Sequence, residues 1–260
     1  MPSTYAHYRL GFRTLSHLDP KIQAVIRRNR QMFDLGLHGA DIFFYHNPFT
    51  GKDPMAEYAR QIHRSSGQEF FAPAVRQLKL QPDEGLESYL FGVLAHFALD
   101  SLCHPYVNSV SGPQAGHTEI EVEFDRALLE YDGKPDPYRQ VISRHIRLEK
   151  KGDAEKILRF YPELKPAQVR RSIENMAWMT TMLAAPKGLR RNVIGSGILG
   201  NGINEHMMFL QPNLRCAEYT PVLMGLYTQA EVLFPRLSRQ LWNHIHAAGK
   251  LGEEFDRIFG

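Results

Sequence analysis

Cys103 and Cys216 are the only thiols in a chain of 260 residues. Two are too few for the disulfide framework that staples small secreted domains. No stretch approaches the ~18 consecutive apolar residues that a membrane-crossing helix needs. The opening MPSTYAHYRLGF lacks a basic segment followed by an apolar one, so no secretory leader is read there and a cytoplasmic location is expected. An excess of one charge is missing too. The net charge is only +3, and the basic residues come as scattered pairs such as Arg27-Arg28, Arg170-Arg171 and Arg190-Arg191. A nucleic-acid binder usually gathers such charge into one patch, so these pairs read as solvated surface, although nucleic acid is not excluded as a partner.

Sustained period-2 alternation is also absent, and nothing in the chain asks for a sheet. Helix signals dominate instead. Asp19-Pro20 and Asp53-Pro54 each supply a capping carboxylate and a first-turn proline before apolar residues recurring on one face. A long helix is expected from about Asp83 to His104, stopped by Pro105, and another from near Gly116. Further helical patterns cover roughly 137–150, 153–160, 166–184 and 219–247. The Gly-rich GSGILGNGIN at 195–204 has a GxGxxG-like spacing, but no strand precedes it, so a helix–helix connection is the better reading. With no convincing linker, the expectation is an all-α, multi-helical single domain over residues 1–260.

Twelve histidines are the compositional oddity. In HFALDSLCHPYV, His96, Asp100 and His104 sit four apart inside an apolar run with no lysine or arginine beside them. Residues four apart share a helical face and rise about 6 Å, so His96 and His104 lie ~12 Å apart along the axis. That is too far for one ion but suits two, with Asp100 between them. His117 and Glu121 form a second i,i+4 pair, and imidazole with carboxylate is a zinc-binding combination. Upstream, GLHGADIFFY puts Asp41 in a glycine-bounded turn, RQIHRSS puts His63 on a helix, and His7 precedes any substantial helix. A hydrogen-bonded core explains one buried His–Asp pair, but not two in succession, because a buried unpaired carboxylate costs several kcal/mol.

The ordered series His7, Asp41, His63, His96-Asp100, His104 and His117-Glu121 resembles the zinc-dependent phospholipases C, whose fold is shared with fungal single-strand zinc nucleases. These motifs fall within residues 1–130. The resemblance implies two or three zinc ions. A first would take Asp41, His63, His96 and Asp100; a second His104, His117 and Glu121; a third His7 and Asp100, completed by the backbone of Pro2 or Met1. It also implies hydrolysis of a phosphate diester by a zinc-bound hydroxide, with Asp41 positioning or deprotonating the attacking water.

Two departures from the family pattern stand out. Asp100 and His104 are separated by three residues where well-known members have five, which would put His104 on the same helix or shift its role. Where choline-preferring members carry aromatic residues, this chain has Ile42 and Arg60, so no aromatic cage for a quaternary ammonium is implied. The expected partner is a phospholipid head group or a small soluble diester, with peripheral membrane contact for the former. Phe43-Phe44-Tyr45 and Phe49 read either as an apolar lip beside Asp41 or as an ordinary packed turn. The competing readings are a zinc nuclease or nucleotidase, and a binding protein whose zinc is structural and closed to water.

Overall fold

A computed structural model describes residues 4–49, 52–141, 143–196 and 203–260. Met1 and Pro2, and with them the backbone ligand expected there, lie outside the described residues, as does most of the Gly-rich stretch. The architecture is all-α. The helices are α1 (Thr4–Thr14), α2 (Pro20–Arg28), α3 (Arg30–Gly36), α4 (Pro54–Arg64), α5 (Gly67–Leu80), α6 (Glu84–Val110), α7 (His117–Tyr131), α8 (Asp153–Ile157), α9 (Pro166–Leu183), α10 (Leu189–Gly195) and α11 (Thr220–His246). Among the described residues the one extended pairing is an isolated antiparallel bridge between Ser66 and Ile258.

Local chemistry accounts for the helix starts. The carboxylates of Asp19, Asp53 and Asp83 accept N–H bonds from Lys21, Met55 and Leu86, satisfying donors that a helix N-terminus leaves open. Ser66 and Glu69 cap α5 reciprocally. The helix ends followed the sequence less closely. Pro105 does not stop α6, which continues to Val110. Proline deletes one N–H donor, but Cys103, His104 and Val107 are buried on either side of it, and packing outweighs that loss. The expected helix over 137–150 is instead two 3-10 turns, Pro137–Arg139 and Ser143–His145, and that over 153–160 is the five residues of α8.

The core is built around α6, which is apolar on every side, with α3 and α11 as its main partners. Gly36 and Gly92 make the α3–α6 crossing close. A Cβ on Gly36 would run into the Tyr89 carbonyl, and one on Gly92 into the Phe33 carbonyl. The α3 helix then leads into a 3-10 helix, Gly39–Tyr45, which packs against α4 and α9. Beneath the far end, Phe71, Phe97, Phe255 and Phe259 form a buried aromatic cluster. No described helix is long and apolar enough to cross a membrane.

Candidate metal centre

Four elements converge on α6. His96, Asp100 and His104 lie along one of its faces. The α1 helix brings His7, the 3-10 helix brings Asp41, α4 brings His63, and α7 brings His117 and Glu121. The expectation that His7 precedes any substantial helix is corrected here, since α1 begins at Thr4. Its first turn is held from a distance: the Tyr5 and Ala6 N–H groups donate to the Asp125 carboxylate of α7 at 2.8 and 2.7 Å. A foreign side chain thus caps the turn that carries His7.

The imidazoles form a continuous series. Ring centroids are 4.3 Å apart for His7–His96, 5.8 Å for His96–His63, 6.3 Å for His63–His104 and 5.3 Å for His104–His117. All eight side chains named from the sequence are buried except His117, which is 32% exposed and marks the open side. Three donor groups result: His7, His96 and Asp100; Asp41, His63 and His96; and His104, His117 and Glu121. The donor atoms of each group lie within 4.8 Å of one another. His96 and His104 therefore belong to different groups, with Asp100 in contact with both at 3.1 and 3.8 Å.

The contacts within the first two groups are close but misaligned. His7 Nε2 is 3.1 Å from Asp100 Oδ1, His63 Nε2 is 3.0 Å from Asp41 Oδ1, and His96 Nε2 is 3.1 Å from Asp100 Oδ2. None of the three pairs forms a hydrogen bond, and His7 Nε2, His63 Nε2, His96 Nε2, Asp41 Oδ1 and Asp100 Oδ2 are all buried without one. Buried polar atoms are rarely left so. Donor atoms that lie this close together without a hydrogen bond fit the ligands of a shared cation. The outer nitrogens of two rings are turned the other way: His63 Nδ1 donates to the Ala59 carbonyl at 2.8 Å and His96 Nδ1 to the Leu37 carbonyl at 3.3 Å. Such bonds fix the tautomer that leaves Nε2 free to ligate. Gly39, at φ 49°, is what lets the turn approach His96, because a Cβ there would press into the ring at 2.7 Å.

The electrostatics agree. Among the described residues, Asp41 and Asp100 pair only with histidines. Burial opposes the charge on Asp100, yet the facing His104, His96 and His7 hold its carboxyl well below the usual range. Burial likewise opposes charge on His104, but Asp100 and Glu121 pull it up to about 9. Glu121, also disfavoured by burial, is held low in part by hydrogen bonds from His104 and His117 at 3.1 and 3.0 Å. Positive charge is what the cluster stabilises, and zinc supplies it with N and O ligands of this kind. A cavity of about 20 Å³ lies among His7, Asp100, His104 and Glu121, large enough for one ion or water.

Other histidines separate from this set. His38 is no member of any donor group; its Nε2 meets His145 Nε2 at 2.8 Å, a partner that sequence spacing does not suggest. Burial holds both rings neutral, His145 down to about 3. His206, on the 3-10 turn Ile203–His206 beside α7, lies near enough to feel Glu121, although burial lowers it to about 4. Cys103 is buried and its thiol is pushed up, first by burial, which fits an apolar filler. Of the residues read either as an apolar lip or as a packed turn, Phe43 and Tyr45 are core residues, Phe44 lies beside His63 at 5.7 Å, and Phe49 is well exposed, edge-on to Trp178.

Searches of curated proteins and of solved structures find no match to this sequence. The family profile described as zinc dependent phospholipase C does match, over residues 6–184, which is more than half the chain and includes every donor named above. Profile and donor geometry point the same way: the chain belongs to the zinc-dependent phospholipase C family.

Proposed function

We propose that the protein is a zinc-dependent phosphodiesterase of phospholipase C type, acting on a phospholipid or a related soluble diester. The observation that carries this reading is the set of buried, mutually close and unaligned donor atoms on His7, Asp41, His63, His96 and Asp100. When bound, zinc lowers the pKa of water and offsets charge on phosphate oxygens. The protein's own part is to hold the ligands and to orient the reactants. In this reading Asp41 takes the proton of the attacking water, while its backbone N–H bond to the His38 carbonyl at 3.0 Å fixes the turn that presents it. His117, the exposed member, lies on the side from which the diester enters.

The chain's residues also speak to the head group. Phe44 stands beside His63, but the Arg60 guanidinium lies 5.8 Å over its ring, where a quaternary ammonium would otherwise stack. A head group without choline follows. The exposed Phe49–Trp178 pair is the part of this surface suited to a membrane interface.

The test joins metal analysis to a substrate panel of a chromogenic phosphodiester, phospholipids of different head groups, and single-stranded nucleic acid. Two or three zinc ions per chain and chelator-sensitive diester cleavage are expected. Full zinc content with no hydrolysis of any member would sink the enzyme reading, and cleavage of nucleic acid alone would make it a nuclease. Asp41→Asn is expected to retain most of its metal and to turn over about 10²–10⁴-fold more slowly. An unchanged rate removes Asp41 from the chemistry.

A further inference from the structure

The segment after α11 returns to the metal centre, although it lies outside the residues that the family profile matches. Phe255 and Phe259 are fully buried in the aromatic cluster against Phe71 and Phe97 of α5 and α6. Between them the backbone pairs with the end of α4 and the start of α5. Gly67 N–H donates to the Arg257 carbonyl at 2.9 Å, Phe259 N–H to the Ser65 carbonyl at 3.0 Å, and Gly260 N–H to the His63 carbonyl at 2.9 Å. The last of these acceptors belongs to a residue of the donor set.

Gly260 also meets a second donor residue. A Cβ built on it would fall against His104 Nδ1, with both flanking ring carbons at 2.8 Å. Equal distances to those two carbons place the added carbon along the outward lone-pair direction of Nδ1. The glycine backbone therefore closes directly over this edge of the ring, while Nε2 faces Glu121 at 3.1 Å. His63 and His96 have their outer nitrogens fixed by backbone carbonyls. The outer nitrogen of His104 is instead covered by a backbone carbon that bears no side chain.

We infer that Gly260 is a positioning residue of the metal centre, tying the His63 backbone to the His104 ring through a backbone approach too close for any side chain. The inference rests on the metal-binding reading above. Any larger residue at 260 must either turn His104 away from Glu121 or release the strand from His63. The first change loosens the group formed by His104, His117 and Glu121, the second the group that holds His63, and His7 and Asp100 keep their places in either case.

The test uses the whole chain, stripped of metal and titrated with cobalt(II) and with zinc(II). Gly260→Ala is expected to weaken one site about ten- to hundredfold, the usual cost of disturbing a group behind a metal ligand. The cobalt d–d bands assigned to that site should change in position or intensity. Metal-free helicity should equal that of the parent. Ile258→Ala, in which an exposed side chain is trimmed two residues away, should bind both metals as the parent does. Unchanged affinities and cobalt spectrum in Gly260→Ala would overturn the inference and leave the metal reading standing. Equal loss at every site together with lost helicity would overturn it as well, since the segment would then be a general brace. A parent chain that takes up neither metal would end both.

Discussion

Two buried polar clusters share the α1 and α7 helices, and they are built on opposite principles. In one, Arg9 grips Asp132 through two nitrogens at 2.6 and 2.8 Å, Tyr5 donates to the same carboxylate at 2.6 Å, and the guanidinium lies 5.1 Å over Tyr227. Nearby, Arg126 binds Glu123 at 2.6–2.9 Å and also reaches Glu130. Each charge has an aligned opposite, so the cluster is complete within the chain. In the other, two residues along α1, His7 and Asp100 come as close as 3.1 Å without a hydrogen bond. Burial is common to both. Aligned pairing with guanidinium groups is what distinguishes a brace from a site that awaits a cation.

Substitutions sharpen that contrast. The largest effect is expected from Asp100→Asn, which removes the charge that touches His7, His96 and His104 at once. Bound zinc should fall and diester cleavage should drop at least about a hundredfold, since losing a ligand costs more than losing a group behind one. Full metal content and rate in that variant would show that Asp100 joins no ions. Arg9→Ala should do the reverse. Leaving Asp132 without its partner is expected to cost about 2–3 kcal/mol, because the pair is only partly screened from solvent. Denaturant unfolding would report that loss, while zinc per chain stays as in the parent. Metal lost in proportion to stability would erase the distinction between the clusters.

The smallest effect is one of pH. His104 is raised from 6.5 to about 9 in the metal-free protein, burial opposing and Asp100 and Glu121 favouring the shift. A raised pKa means that the folded state holds its proton more tightly than the unfolded chain. This contribution to stability is therefore whole below about pH 6.5 and is lost as pH rises through 9. The same proton competes with metal, so zinc affinity should climb over that window. Melting of the stripped protein between pH 6 and 9.5 checks the first statement and zinc titration the second. Arg9→Ala should keep the slope, since a guanidinium does not titrate there. A flat profile in the stripped parent would refute the assignment.

Part of the candidate donor set was legible because helical period ties spacing to direction, whereas His7, Asp41 and His63 were joined to it only by the family resemblance. His96, Asp100 and His104 announce a shared face, and the short Asp100–His104 gap resolves simply, since α6 runs on through Pro105 and carries His104 on that same face. The all-α class was legible for the same reason. What spacing does not encode is what chain segments far apart in sequence do to one another. Asp125 caps a helix some 120 residues earlier, His145 finds His38 across 107, and Gly260 reaches back to His63 and His104. Proline and the apolar pattern at 137–150 misled in a related way. Local preference suggested a stop and a helix where the chain made neither, α6 running on through Pro105 and 137–150 forming two short 3-10 turns.

The Gly36–Gly92 crossing gives the protein a caliper. One jaw is α3 with the turn that bears Asp41; the other is α6, with His96 and Asp100 one and two turns beyond Gly92. Where the two backbones touch there is no side chain to adjust, so the opening between the jaws is set by main-chain contact alone. The span across which the donors face each other is thus gauged by two residues that hold no donor atom, at a distance from any ion.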